Sequence, residues 1–163
     1  YWHTYGVAAD DLEAPDAVGR KAAERTVARL DPRSLPTGTL PVLFAPEVAR
    51  SLIGHLLQGA SGGALYRRSS FLLDRLGHRI LPPWLSIVER PFLRRGLQSG
   101  NYDAEGVAAR ESALVEDGTL VRYMLGSYSA RKLGLESTGN AGGAYNLEIS
   151  PNAEDLAAMA RAM

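Results

Sequence analysis

Residues 46–74 read PEVARSLIGHLLQGASGGALYRRSSFLLD, and the first half of that stretch has the pattern of a helix. Val48, Leu52, Leu56 and Gly59 recur at helical spacing, with His55 beside that apolar face. Pro46 suits the first turn, where its missing N–H costs nothing. Gly62-Gly63 then loosens the backbone ahead of Arg67-Arg68-Ser69-Ser70. Just upstream, residues 41–45 form a short apolar run that reads as a buried strand feeding the helix.

Downstream, residues 84–89 alternate as a strand, with Leu85, Ile87 and Val88 for the core. Two strand-like runs within 108–125 flank Glu116-Asp117-Gly118, and Asp-Gly is a hairpin turn signal. On that reading Val121, Tyr123 and Leu125 share one face, and Leu120, Arg122 and Met124 the other. A short helix over 127–135 ends at Gly134. A strand follows at 145–149, then an Ala-rich helix over 151–163. Toward the start, residues 1–9 alternate loosely and read as a strand. Residues 15–30 read as a helix, apolar on one side and basic on the other. The fold class expected is α+β: a mixed or antiparallel sheet with a β-hairpin and several covering helices.

The 163 residues suffice for one domain with a proper core, and the expected organisation is a single domain over 1–163. Eighteen basic residues match eighteen acidic ones, so no global field pulls the chain toward nucleic acid or anionic lipid. Neither nucleic acid nor membrane is an expected partner. No apolar run approaches the roughly 20 residues of a membrane helix. The absence of cysteine rules out disulfides and fits a reducing, cytoplasmic setting. The chain starts at Tyr1 and ends mid-pattern in a helix, which points to an internal piece of a longer protein.

Three clusters invite chemical readings. Arg90, Arg94 and Arg95 surround Phe92, the most basic spot in the chain, but three arginines and one ring are too few to specify a nucleic-acid site. Asp103 and Glu105 are two residues apart; an acid–base pair needs burial to split their pKa values, and otherwise they belong to a turn. The run 136–146, ESTGNAGGAYN, lacks the lysine and Ser/Thr of a phosphate loop. It is either a tight turn or bare backbone lining a cavity. For a metal, His55 has Leu56 next to it, Gly59 at i+4 and Ala60 at i+5, none of them a ligand.

The Gly54-His-Leu-Leu run, Gly62-Gly-Ala-Leu-Tyr-Arg-Arg-Ser-Ser-Phe-Leu-Leu-Asp74, Asp103-x-Glu-Gly-Val and Ser137-Thr-Gly-x-Ala-Gly-Gly resemble the TldD/PmbA family, also called the modulator of DNA gyrase family. The resemblance covers about residues 1–150 and favours the PmbA (TldE) branch. That family pairs a zinc metalloprotease subunit with a related subunit lacking the zinc motif. In the catalytic branch this helix carries His-Glu-x-x-x-His. Gly54, His55 and Gly59 stand at those three positions here, so both metal-binding histidines are missing.

What the resemblance implies is a non-catalytic, metal-free subunit of a heteromeric metalloprotease acting on unfolded peptides. Zinc would be held by a TldD-like partner, with no catalytic residue, metal ligand or cofactor in this chain. A homo-oligomer stays open. Residues implied to face a peptide cavity or the partner are His55, Gly59, Arg67, Arg68, Ser69, Ser70, Thr138, Gly139, Asn140, Gly142 and Gly143. His55 has a bland rival reading as a hydrogen-bonded core histidine. Rival functions are a regulator of DNA gyrase acting by protein contact, an autonomous metallopeptidase with an atypical site, and a plain interaction module.

Overall fold

A computed structural model of the chain describes residues 1–150 and 155–162. The chain divides into two compact units, Tyr1–Pro41 and Val42–Met163.

In the first unit, residues 1–8 carry no strand. The alternation is present: Tyr1, His3 and Tyr5 stack at 5.8 and 5.5 Å between ring centroids. It lacks a neighbouring strand to complete a ladder, and an isolated extended segment is not a sheet. Trp2 faces the other way, donates from its indole to Glu13 at 2.9 Å, and lies under Lys21 at 3.8 Å. A single 3-10 turn, Ala9–Asp11, leads to helix α1, Pro15–Val27. No residue of α1 is buried, so its basic face is exposed.

The second unit opens with residues 42–45, which carry no strand and no bridge among the described residues, contrary to the expected strand. Helix α2, Pro46–Ala60, begins at the proline. Only its C-terminal end is buried: Leu56, Gly59 and Ala60 are inside, while Val48 and Leu52 are about half exposed. The apolar stripe is therefore only half used. Ser61 breaks the helix with an extended backbone and caps helix α3, Gly62–Tyr66. Gly62-Gly63 thus starts a second helix rather than a loose linker. The break is held by pairing: Gly62 donates to the Met124 carbonyl at 2.8 Å, and Met124 to the Ala60 carbonyl at 2.9 Å.

The sheet has four antiparallel strands: β1 Ile87–Glu89, β2 Ser112–Glu116, β3 Thr119–Leu120 and β4 Leu147–Ile149, in the order β3-β2-β1-β4. The α+β fold with a hairpin is as read. The turn uses Asp117 at φ 46° and Gly118 at φ 77°, the left-handed pair that a two-residue hairpin needs. The alternation expected beyond Leu120 fails, since Tyr123, Met124 and Leu125 are all buried in sequence. Strand β3 ends at Leu120, with one further bond from the Val121 N–H to the Leu114 carbonyl, and residues 77–81 pair against 118–120 on its other edge. The core gathers Leu56, Leu65, Leu72, Ile87, Leu114, Val115, Leu120 and Leu125. Helix α4, Ser127–Leu133, ends at Gly134 with φ 69°. Helix α5, Leu156–Arg161, follows an Asp155 cap. Of the helix expected over 151–163, residues 151–154 and 163 lie outside those described.

Candidate functional site

Strand β1 ends on a carboxylate, Glu89, that is 2% exposed. A buried charge must be paired and hydrogen-bonded. Arg122 donates to it at 2.5 Å, Asn140 at 2.9 and 3.1 Å, and the Tyr145 N–H at 2.8 Å. Asn140 in turn accepts from Arg122 at 2.9 Å and from the Thr138 hydroxyl at 2.8 Å, and donates to the Gly143 carbonyl at 3.2 Å. The network fixes the loop 138–145 against the sheet. Asp103, also buried, holds the same loop from the other side by accepting the Ala141 N–H at 2.9 Å.

With both anchors in place, Ala141, Gly142 and Gly143 form a wall between two clefts. The larger, about 400 Å³, runs between this wall and the α3–α4 side, where Gly62, Gly63, Tyr128 and Ser129 line it. The smaller, about 280 Å³, is bounded by residues 97–100, Asp103 and Tyr145. Gly142 and Gly143 are exposed, at φ 102° and 131°, conformations that favour glycine. Neither the N–H nor the C=O of Gly142 has a hydrogen-bond partner among the described residues.

Asp103 and Glu105 do not split into an acid and a base. Burial alone would push Asp103 up, but the N–H groups of Ala141, Val107 and Glu105 together hold it below the usual carboxylate range. Hydrogen bonds from the Ser127 hydroxyl and N–H lower Glu105 as well, with Arg131 adding to them. Two carboxylates that both stay ionised offer no general acid near neutrality. The turn reading applies, with Gly106 at φ 80°.

A depressed pKa in the folded state links Asp103 to pH. Its stabilisation is present above the unfolded carboxylate pKa of about 3.9 and is lost as pH falls through the lower folded value. Asp103→Asn should be less stable than the parent at pH 7, with a shallower loss of stability below about pH 4. Urea midpoints across acid pH measure this, and parallel pH curves for both proteins would show that Asp103 is not the linked group.

The Tyr145 hydroxyl is buried with no partner among the described residues, and burial, with Asp103 and Glu89 close by, pushes the phenol pKa up. Removing an unsatisfied buried hydroxyl relieves a desolvation penalty. Tyr145→Phe should therefore leave stability unchanged or raise it by about 1 kcal/mol. A loss of that size in a thermal or urea melt would contradict the unpartnered hydroxyl.

The residues singled out from the sequence fall into separate places. Asn140, Gly142 and Gly143 line the larger cleft. Thr138 and Gly139 sit behind it: Thr138 accepts the Leu125 N–H at 2.8 Å, and a Cβ on Gly139 would meet the Ala108 carbonyl at 2.9 Å. Arg67 reaches the mouth, with its guanidinium 3.4 Å from where a Gly63 Cβ would stand. Gly59 is buried against the Phe71 ring. Ser70 donates to the Gly59 carbonyl at 2.6 Å and accepts the Leu72 N–H, and Ser69 donates to the Ala64 carbonyl, so both shape the α3 exit. Arg68 is exposed at φ 57°. His55 is exposed on α2, which removes the core-histidine reading, because only the end of the helix packs.

Sequence reasoning passed over Glu89, Arg122, Tyr66, Tyr128 and Lys132. Glu89 left a signal: an acid directly after the core run Ile87-Val88. The tyrosines left none, because Tyr66 and Tyr128 meet only in the fold. The basic spot is likewise engaged, as Arg90 pairs with Glu111 and with Glu148, which raises its pKa.

A zinc ion does not fit the positions of the family motif. Gly54 and Gly59 offer no ligand, His55 stands alone, and no group of three His, Asp or Glu that could hold a metal occurs among the described residues. Nor is any described helix long and apolar enough to cross a membrane.

Residues 37–163 match the family described as PmbA/TldA metallopeptidase C-terminal domain. The chain is 51% identical over 150 residues to the Escherichia coli O157:H7 protein named metalloprotease PmbA, covering 92% of this chain and 33% of that one. It spans about a third of the length of the curated relatives it matches. A crystal structure of a Bacteroides thetaiotaomicron protein, described as a candidate modulator of DNA gyrase, superposes with a TM-score of 0.89 at 25% identity, over 97% of this chain and 36% of that one. The TldE structure from Thermococcus kodakarensis matches at 0.52 and 28% identity, over 62% of this chain and 25% of that one. TldE- and TldD-named proteins are thus both among its relatives.

Proposed function

This chain belongs to the PmbA/TldA metallopeptidase family, and on that premise we propose that it is the peptide-holding, metal-free part of a two-subunit peptidase. Its partner is a TldD-like subunit that supplies zinc, the general base and the nucleophilic water. The complex acts on unfolded peptides in the cytoplasm. The observation that carries the reading is Gly142: an exposed residue on a cleft wall, with donor and acceptor both without a partner among the described residues. An extended peptide can pair with both groups at once, as a strand adds to a sheet edge. Support for the metal-free role comes from the motif positions, which carry no ligands in a family named for metallopeptidases. A paired assembly is supported by relatives of both kinds, one named TldE and another named a TldD homolog.

The test is purification of the whole protein from its own cells, followed by peptide digestion with and without whatever accompanies it. Co-purification of a relative carrying His-Glu-x-x-x-His, with chelator-sensitive digestion only when both are present, is the expected result. Chelator-sensitive peptidase activity from this protein alone would replace the reading with an autonomous enzyme. Recovery of gyrase subunits would favour the activity that the Bacteroides relative is described by.

A further inference from the structure

A strip of alternating chemistry starts from Tyr128, which lines the larger cleft, and reaches Arg67, whose guanidinium lies against the lining residue Gly63. Tyr66 and Tyr128 meet edge to face at 5.6 Å between centroids. Arg67 lies over the outer side of Tyr66 at 5.4 Å, and Lys132 over Tyr128 at 5.8 Å. The order along the rim is therefore cation, ring, ring, cation. Arg67 and Lys132 are exposed and form no ion pair among the described residues; Arg67 donates only to the Tyr66 hydroxyl. The carboxylate lining this cleft, Glu105, is already engaged by Ser127 and lies within the field of Arg131. The rim is thus net positive, in a chain whose total charge is zero.

We infer that this rim makes the cleft selective for acidic peptides, with the exposed cations Arg67 and Lys132 each able to take a side-chain carboxylate of the bound strand. The inference rests on the peptide-cleft reading and adds a specificity to it. An extended peptide paired along Gly142 would run past Gly63, because the two residues line the same cleft, and Arg67 lies across Gly63. An aspartate or glutamate beside Arg67 gains a cation that forms no ion pair among the described residues. The edge-to-face rings supply apolar surface for its methylenes and hold the cations in place by cation–π contact. Single-stranded nucleic acid can also use rings interleaved with cations. The overall charge balance and the donor and acceptor of Gly142, without a partner among the described residues, favour a peptide.

The experiment measures anisotropy of fluorescent nonapeptides binding to the whole protein. The peptides are identical except for one central residue: Glu, Gln or Lys. The Glu peptide should bind about fivefold tighter than the Gln peptide at low salt, and the gap should close at about 0.5 M salt. Arg67→Glu combined with Lys132→Glu should reverse the order, so that Lys binds best. Both side chains are exposed, and an unchanged melting temperature would confirm that the variant is folded. Equal binding of all three peptides overturns the rim inference and leaves the cleft reading standing. Binding of none overturns both. A labelled oligothymidine that binds, and is lost in the double variant while peptides do not bind, assigns the rim to nucleic acid instead.

Discussion

Glu89→Ala should destabilise the second unit by roughly 3–5 kcal/mol, the usual cost of stranding one member of a buried ion pair. The substitution leaves Arg122, Asn140 and the Tyr145 N–H without the oxygens they donate to, in a place water does not reach. Removing the carboxylate is worse than losing one contact, because a guanidinium with 15% side-chain exposure stays charged and unpaired. Glu89→Gln is a sharper probe. Every neighbour of the Glu89 oxygens is a donor, so an amide must aim its NH2 at another N–H whichever way it turns. It should cost less than alanine, on the order of 2 kcal/mol. Combining Glu89→Ala with Arg122→Met should recover part of the alanine loss, since no charge is then stranded. Urea unfolding followed by circular dichroism gives all four values. A loss under about 1 kcal/mol for Glu89→Ala would mean that water reaches the pair. The effect should extend to the cleft, because Asn140 and Tyr145 are the ties of the glycine wall. The hydrogen-bonded amides of Asn140, Ala141, Gly143 and Tyr145 should lose exchange protection in any folded Glu89 variant.

The parts of the fold that were legible in the sequence are those set by local chemistry. Pro46 opening α2, Gly134 closing α4 and Asp117-Gly118 turning the hairpin each act within a few residues, so their types announce them. The expected strands at residues 1–9 and 41–45 failed for one reason: alternation or apolarity makes a segment fit a sheet but does not supply its neighbour. The reverse case is residues 77–81, where Gly77 and the following Pro82-Pro83 hid an edge pairing. Half of the larger cleft could be read. Asn140, Gly142 and Gly143 drew notice as bare backbone, and Gly62-Gly63 stood beside the arginine pair, but nothing in the order of residues says that positions 62 and 142 face one gap. The carboxylates show the same limit. Asp103 and Glu105 look like a catalytic pair until the N–H groups that lower both are seen, and those come from residues up to 38 positions away.

Gly62→Ala should be the most damaging single methyl that can be added along the larger cleft. A Cβ there would stand 2.2 Å from the Ser129 hydroxyl oxygen and 2.4 Å from its Cβ, with Leu125 at 3.1 Å. Rotating the serine hydroxyl away does not solve this, because the Ser129 Cβ is fixed to the α4 backbone. Helix α3 must back off from α4, although Gly62 is also tied to the Met124 carbonyl at 2.8 Å. Overpacking of this kind costs about 1–3 kcal/mol and more where the backbone is pinned, so a loss near 3 kcal/mol is expected. Ser129→Gly alone removes a buried hydroxyl that donates to the Gly126 carbonyl and places glycine inside a helix, for about 1 kcal/mol. The two together should be better than their sum by more than about 1 kcal/mol, since the second makes room for the first. Strict additivity in a double-mutant cycle would show that α3 and α4 are further apart than described. Gly63→Ala is the matched control. Its Cβ would meet only the tip of Arg67, at 3.4 Å, a flexible group that can move. Stability should therefore change by less than about 0.5 kcal/mol, as for most exposed sites. A contact of 3.4 Å is ordinary van der Waals distance, so Arg67 keeps its place and peptide binding should change little. Of the two neighbouring glycines, only Gly62 is required by the packing of α3 on α4.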